Sequence, residues 1–368
     1  MGVVVSDFIE PSKQTEHTEH TEHTEQTELS QISLAARALE AGHLVAFPTE
    51  TVYGLGADAE NPAAVAGIYA AKGRPANHPV IVHLAPEADL SYWVKDIPAQ
   101  AQALIKAFWP GPLTLILARA EHIPDAVSGG QDTIGVRCPS HPVAQALLRS
   151  FKGGKGGIAA PSANKFGHVS PTTAQHVINE FEQETQIGGL IASVLDGGQS
   201  EVGIESTILD LSRLDSHGPV LLRPGHISVS QLAAVLGVMP LAADVAAPRA
   251  SGTLDAHYAP NTPVVLLASA ELDSCIQNLL MTGKRIAVMA YAELASVSSL
   301  TAYLHMPKDP VHYAHDLYAA LRELDLAAAD VILVQALPDD KAWQGVNDRL
   351  QRAAFDSRDV LAQLLAKP

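Results

Sequence analysis

Residues 44–84 read LVAFPTETVYGLGADAENPAAVAGIYAAKGRPANHPVIVHL and place a helical run between two apolar runs. Leu44–Pro48 and Val80–Leu84 are short, continuous and apolar, which is typical of buried strands. Asn61 followed directly by proline is typical of a helix start, so the pattern predicts a helix over Pro62–Ala71. This strand–helix–strand order predicts an α/β fold.

The same alternation continues to residue 236. Because the connections mix hairpin lengths with helix lengths, we expect a mixed twisted sheet with flanking helices rather than a purely parallel one. The further predicted strands are Leu113–Ala118, Thr133–Cys138, Gly157–Ala160, Ala192–Leu195, Thr207–Leu211 and Val220–Arg223, and the further helices are Pro98–Trp109, Pro142–Ser150, Thr172–Phe181 and Ser228–Leu236.

A change of character at residue 238 predicts a second unit. Residues 238–261 are rich in Pro, Gly and Ala and are interpreted as a linker. Beyond it, short apolar runs at Val264–Ala268, Arg285–Met289 and Val331–Val334 alternate with helical runs. We therefore predict a small Rossmann-like, doubly wound unit over 262–368, although it has no G-x-G-x-x-G phosphate loop.

The N-terminal segment is of low complexity. Residues 15–29 repeat Thr-Glu-His, then Thr-Glu-Gln and Thr-Glu-Leu, with no apolar face. Such composition predicts a disordered tail over 1–29. The ordered regions are then a first unit over 30–237, the linker and the second unit.

Charge and cysteine content limit the class of protein. The net charge is −16, of which −6 belongs to the tail, so the ordered part is also acidic. This disfavours stable direct binding to a nucleic-acid backbone. The two cysteines, Cys138 and Cys275, predict no disulfide framework and fit a reducing compartment. Neither a signal peptide nor an apolar run long enough to cross a membrane is visible, so a cytoplasmic location with no membrane partner is expected.

Four cation-bearing or small polar segments lie next to Gly or Pro, mostly at strand ends: KGRP (72–75), TIGVR (133–137), PSAN (161–164) and LLRPG (221–225). Ligands bind at strand ends in open α/β sheets, so we expect a pocket for a strongly anionic ligand. Purely structural roles stay open for these residues. Lys72 and Arg74 could complement a helix C-terminus, Arg137 could pair with an internal acid, and His83 could be structural.

Common catalytic motifs are absent from the sequence. There is no Walker phosphate loop, H-E-x-x-H, C-x-x-C pair or G-x-S-x-G elbow. Zinc chemistry and serine hydrolysis by the usual routes are therefore disfavoured, and no residue is assigned as a metal ligand.

Read in order, the motifs resemble the threonylcarbamoyl-AMP synthase family, in its long form with a YrdC-like first domain and a C-terminal domain. The resemblance rests on PTETVYGLG, KGRP, VIVHL, WPGPLTLIL, TIGVRCP, AAPSAN, SPTT, GIESTILDL and LLRPG, and on HYAP and NDRLQRAA in the linker and second unit. It implies that L-threonine, bicarbonate or CO2, and ATP with Mg2+ give threonylcarbamoyl-AMP and pyrophosphate. The product would pass to a separate complex that modifies tRNA.

The resemblance also implies residue roles. Lys72 and Arg74 would stabilise charge in the transition state. The threonine site would comprise Thr51, His83, Arg137, Ala160 and Ser206, and the nucleotide site Lys72, Arg74, His78, Thr133, Ser162, Asn164, Ser170, Arg223 and Tyr258.

This chain departs from the family pattern at two places. His78 fills a position where some members carry Asn, and Ser251-Gly252-Thr253 replaces the usual Ser-Pro-Gly at this part of the linker.

Two different functions fit the sequence less well. A non-catalytic nucleotide- or RNA-binding module is disfavoured by the acidic charge, and a maturation factor for metal centres is disfavoured by the lack of C-x-x-C fingers.

Overall fold

A computed structural model of the chain describes residues 29–253, 257–294, 297–357 and 359–366. The predicted tail lies outside these ranges up to residue 28, so the expectation of disorder stays a prediction. The described chain contains a large mixed sheet followed by a small parallel sheet. No helix within these ranges is both long and apolar enough to cross a membrane.

Ten strands form the large sheet, in the order β10-β9-β8-β4-β5-β3-β6-β2-β1-β7. Parallel and antiparallel pairs are mixed within it, since β5 pairs in parallel with β3 and antiparallel with β4. The predicted mixed sheet is therefore confirmed. The strands are β1 Leu44–Phe47, β2 Gly54–Asp58, β3 Ile81–Leu84, β4 Leu113–Ala118, β5 Thr133–Arg137, β6 Gly157–Ala159, β7 Ile191–Val194, β8 Thr207–Asp210, β9 Val220–Arg223 and β10 Leu241–Ala242.

Helices flank this sheet and pack against it through buried aliphatic residues. Their ends position site segments. Asn61 caps the N-terminus of the second helix by accepting from two backbone amides, and Gly73, with φ 62°, ends it in a left-handed turn. This turn directs the chain into Arg74. The helices are α1 29–40, α2 Pro62–Lys72, α3 Ala99–Phe108, α4 Asp125–Ser128, α5 Pro142–Ser150, α6 Ala174–Glu180, α7 Leu214–His217 and α8 Val229–Leu236.

One strand of the large sheet was not among the predicted strands. Gly54–Asp58 forms β2, which pairs with β1 and β6. Packing explains the glycine at 56. A Cβ there would lie 2.8 Å from a methyl of Ile158 and 2.9 Å from the Phe47 ring, so this strand needs a residue without a side chain. The residues 241–242, predicted to lie in the linker, form β10.

The second unit has four parallel strands in the order β11-β14-β12-β13. Two separate apolar clusters, one on each face, confirm the doubly wound prediction. β13 was not predicted, because its four residues include few that are typical of a buried strand. The elements are β11 Val264–Leu267, α9 Ser269–Met281, β12 Ile286–Ala290, β13 Ala302–His305, α10 Pro310–Leu326, β14 Val331–Gln335, α11 Gln344–Ala353 and α12 Val360–Ala366.

The face of the small sheet that carries α10 and α11 packs against the first unit. Its apolar cluster includes Val52, Val169 and Ile204 of the first unit, all buried. Gly203 permits this contact. With φ at 78°, a Cβ at this position would lie 2.3 Å from the Ala314 carbonyl oxygen and 2.5 Å from the His315 Cα.

We expect Gly203→Ala to lower the free energy of unfolding by about 3 kcal/mol, because it combines an unfavourable φ with a backbone clash across the units. Gly188→Ala is the matched control. Gly188 has φ 82° but nothing within 4 Å of a Cβ, so only the backbone cost of about 1 kcal/mol applies. Urea unfolding measures both, and equal losses would contradict a clash at residue 203.

Candidate active site

Side chains from several segments face one cavity beside the middle of the large sheet. The enclosed space between them is small, about 30 Å³, roughly the volume that one water molecule occupies in the liquid. Strand ends and the loops that follow them supply most of the lining. The predicted residues that line it are Thr51, His83, Arg137, Ala160, Ser162, Ser206, Arg223 and Tyr258.

Arg137, the last residue of β5, is almost completely buried beside this cavity. Its Nη2 lies 2.6 Å from Glu50 Oε1, and its Nη1 donates to Thr51 Oγ1 at 2.9 Å. The internal acid that a buried arginine requires is therefore Glu50. Because Glu50 is fixed in turn by the Ser140 amide, the guanidinium is held rigidly against the cavity.

Arg223, at the end of β9, also lines the cavity, and β8 and β4 lie between its strand and β5. Its Nε and Nη2 donate to the Ser206 carbonyl at 3.0 and 2.9 Å, and Nη1 donates to the Ser251 carbonyl at 2.8 Å. Burial lowers its pKa from the usual value. The Ser206 hydroxyl lies 3.1 Å from Nη2 and 2.8 Å from Thr114 Oγ1, so cation and hydroxyl are positioned together.

Arg74 is buried just behind the cavity wall. Its Nη2 donates to the Pro79 carbonyl at 2.9 Å and to the Ser251 hydroxyl at 3.4 Å. Its Nε has no hydrogen-bond partner among the described residues. Burial lowers the pKa of Arg74 to about 10, which still leaves it charged at neutral pH. A buried, incompletely bonded guanidinium is suited to an anionic ligand.

Lys72 precedes the turn at Gly73 and points along the wall. Its Nζ donates to the carbonyl of Ser162 at 2.6 Å and also to that of Asn164. Burial, reinforced by Arg74, lowers its pKa well below the usual value. The side-chain nitrogen therefore fixes the turn at 161–164 in this ligand-free arrangement.

His83 on β3 lines the cavity as a neutral ring. Burial and the neighbouring Arg137 lower its pKa to about 3. The ring stands edge-on to Phe47, with centroids 5.9 Å apart, and Nδ1 has no partner within the described residues. It can therefore exchange hydrogen bonds with a ligand but adds no charge near neutral pH.

The segment after the first unit closes the cavity. Tyr258 has φ 62°, is 1% exposed and stacks edge-on against His257 at 4.1 Å. Burial raises the pKa of Tyr258 to about 12, and burial lowers the pKa of His257 to about 3, so both are neutral. Ser251, which contacts both Arg74 and Arg223, lies in the same segment.

Comparison with known proteins decides the family. A Sua5/YciO/YrdC family model, described as telomere recombination, matches residues 37–225, and a model described as threonylcarbamoyl-AMP synthase, C-terminal domain, matches residues 227–355. The chain belongs to the threonylcarbamoyl-AMP synthase family.

Relatives in this family match over most of their length. Threonylcarbamoyl-AMP synthase of Pyrococcus abyssi is 36% identical over 87% of this chain and 93% of its own, and that of Bacillus subtilis is 39% identical over 87% and 92%. The crystal structure of P. abyssi Sua5 complexed with L-threonine superposes with a TM-score of 0.79 over 89% of this chain and 94% of the other, at 36% identity. The expected family and its two-unit fold are confirmed.

Several residues expected at the synthase-family site do not face this cavity. Asn164 Nδ2 donates to the His168 carbonyl, Ser170 Oγ donates to Glu205, and the His78 ring lies against Phe166. Thr133 lines a narrower neighbouring cleft, together with Ser251. Lys72 and Arg74 do not line the cavity either, and the roles of these residues toward the nucleotide stay predictions.

Sequence reasoning missed some members of this synthase-family site. Glu50 and Glu205 are buried carboxylates, and Arg349 of the second unit pairs with Glu205. A carboxylate inside an apolar motif such as GIES (203–206) was the available signal for Glu205, because a buried acid needs a cationic partner. The partner itself lies 144 positions further along the chain.

The buried histidines predict a pH dependence of stability. Both His83 and His257 have a folded pKa near 3, below the usual 6.5, so the unfolded chain binds more protons between these values. The contribution of these histidines to the free energy of unfolding is fully present above pH 6.5 and is lost as the pH decreases. We expect these two groups together to cost about 3 kcal/mol between pH 6.5 and 5, measured by urea unfolding. His176, whose burial lowers its pKa to about 4, adds to the loss. His83→Gln should reduce the total loss by about 1.5 kcal/mol, and a curve unchanged by the substitution would contradict a neutral buried His83.

Proposed function

We propose that this chain converts L-threonine, bicarbonate or CO2, and ATP into threonylcarbamoyl-AMP and pyrophosphate. The observation that carries the proposal is the joint lining of one cavity by Arg137, at the end of β5, and Arg223, at the end of β9. Two anionic reactants repel one another, and two fixed cations offset that repulsion. Membership of the synthase family supports the same reaction.

Threonine fits the side of the cavity that carries Arg137. The guanidinium would hold its carboxylate, while the hydroxyls of Thr51 and Ser206 and the neutral ring of His83 would exchange hydrogen bonds with its polar groups. Ala160 lines the same side. The relative from P. abyssi was crystallised in complex with L-threonine, which supports this assignment.

We assign ATP to the part of the cavity that carries Arg223. Arg223 and Arg74 would contact its phosphates, which requires the Ser251 hydroxyl and carbonyl to give up their present contacts with these two side chains. Ser162, Thr133 and Tyr258 would complete the nucleotide site, with Lys72, His78, Asn164 and Ser170 supporting it.

The chemistry needs positioning and charge stabilisation. The amino nitrogen of threonine bonds to the carbon of bicarbonate, with loss of water, or to CO2, and gives a carbamate. A carbamate oxygen attacks the α-phosphorus of ATP, and the bond to the β,γ-pyrophosphate breaks. Arg223 and Arg74 would stabilise the negative charge on the phosphoryl oxygens as it moves to the leaving group.

Magnesium would enter with ATP. The nearby buried carboxylates, Glu50 and Glu205, are already paired with Arg137 and Arg349, so they are poor candidates to hold a metal. The phosphates themselves are suitable oxygen ligands for Mg2+, which neutralises charge at the leaving group. We propose that the product then passes to a separate tRNA-modifying complex, in the cytoplasm.

Omission of single substrates tests the proposal. Pyrophosphate release is measured with ATP, Mg2+, bicarbonate and L-threonine, and then with each left out. We expect release only in the complete mixture, with little release when L-serine replaces threonine. Release that is independent of threonine or bicarbonate would contradict the proposed reaction.

A further inference from the structure

A buried carboxylate of the first unit is held mainly by the second unit. Glu205 Oε2 accepts from Arg349 Nε at 2.8 Å and from the Tyr318 hydroxyl at 2.9 Å, while Oε1 accepts from Ser170 Oγ at 2.5 Å. Although burial opposes ionisation, Arg349, Arg223 and Ser170 hold the pKa of Glu205 at about 2. A fully ionised pair therefore joins the two units inside the protein.

The same guanidinium also contacts the backbone of two cavity segments. Arg349 Nη1 donates to the Pro224 carbonyl at 2.8 Å, and Nη2 donates to the Glu205 carbonyl at 3.2 Å. Pro224 directly follows Arg223, and Glu205 directly precedes Ser206. One side chain of the second unit thereby links the two segments that present a cation and a hydroxyl to the cavity.

The surroundings show that this contact is built into the core. The Arg349 side chain is 0% exposed and lies over the ring of Tyr258, at 5.4 Å from its centroid. The face that carries α10 and α11 packs against Val52, Val169 and Ile204, which flank the cavity segments. A planar fork can satisfy several acceptors in fixed directions, whereas an ammonium is a single point charge.

We propose that Arg349 is a positioning residue of the active site. It acts through Glu205 and Pro224 to hold Ser206 and Arg223 where threonine and ATP bind, so the second unit completes a site whose lining comes from the first. This inference rests on the proposed function, because it assigns Arg223 to ATP and Ser206 to threonine.

Substitutions at Arg349 test it in the full-length chain. Arg349→Lys keeps the charge but loses the fork, and Arg349→Met removes both. Arg285→Gln is the matched control, since Arg285 belongs to the same unit, is exposed and pairs with Asp330 there. Steady-state kinetics are measured together with circular dichroism and with calorimetric binding of a non-hydrolysable ATP analogue.

We expect Arg349→Lys to raise the KM for ATP about 10-fold and to lower kcat/KM about 100-fold, because a small displacement of a binding group weakens every contact it makes. Arg349→Met should lose more, and Arg285→Gln should stay within about twofold of the wild type. If Arg349→Met is unfolded by circular dichroism, Arg349→Lys decides.

A folded Arg349→Lys variant with an unchanged KM for ATP would overturn the proposal. This holds even if its kcat is reduced, because a purely structural role lowers only the fraction of active protein. Failure of the proposed function can be distinguished from failure of the positioning role. If the proposed function is wrong, the wild-type chain releases no pyrophosphate with threonine, and the affinity for the ATP analogue decides. Weaker binding by Arg349→Lys than by the wild type supports positioning, and equal binding contradicts it.

Discussion

Replacement of Arg74 by methionine is expected to reduce threonine-dependent pyrophosphate release about 1,000-fold and to leave the chain at least as stable as the wild type. The loss of activity is expected because removal of one preorganised group from developing charge costs about that factor. Stability is retained because burial of the Arg74 charge costs free energy, and no interaction in the described part of the ligand-free chain offsets that cost. Among the described residues its guanidinium bonds only to Pro79 and Ser251, and no carboxylate pairs with it.

Kinetics and thermal unfolding of Arg74→Met measure the two effects together. Arg149→Met is the control, because Arg149 is exposed and pairs with Glu87 away from the cavity. It should change neither activity nor the unfolding midpoint by much. If Arg74→Met kept wild-type turnover, Arg74 would not belong to the active site. A large decrease in its midpoint would show a structural role instead.

Arg137→Met should lower both activity and stability, in contrast to Arg74→Met. This substitution leaves the carboxylate of Glu50 buried, 3% exposed, without its partner at 2.6 Å. An uncompensated buried charge costs roughly 3–5 kcal/mol, so we expect a loss of about 3 kcal/mol in urea unfolding. Turnover should fall at least 100-fold, because the proposed contact to threonine is lost.

The double variant Glu50→Gln with Arg137→Met separates the two effects. Removal of both charges should restore most of the stability, since a buried pair contributes little net free energy, but it should not restore turnover. Equal destabilisation in the single and double variants would show that the Glu50–Arg137 pair is not the cause.

The general architecture could be predicted because each unit alternates strand-like and helix-like runs, and Asn61 and Pro62 define a helix start by local chemistry alone. Strand β2 could not, since the reason for Gly56 is a distant neighbour, Ile158. Local patterns identify what a residue can do, but only packing across the chain shows why a strand contains glycine.

The same distinction applies to the site. Arg137 and Arg223 could be identified because a cation at the end of an apolar strand needs an anionic partner or ligand. The direction of a side chain could not be predicted. Lys72, which is close to Arg74 in the motif, donates to backbone carbonyls. Arg349 lies in the NDRLQRAA motif, but nothing local indicates its role at the site, because Glu205 and Pro224 lie 144 and 125 positions away.

The product of the reaction tests the central claim most directly. The wild-type chain is incubated with ATP, Mg2+, L-threonine and 13C-bicarbonate, quenched rapidly and analysed by mass spectrometry. The proposed joint binding of two anionic reactants beside Arg137 and Arg223 predicts threonylcarbamoyl-AMP with one added unit of mass, together with pyrophosphate. ADP and phosphate, or an adenylate that carries no 13C, would contradict the account.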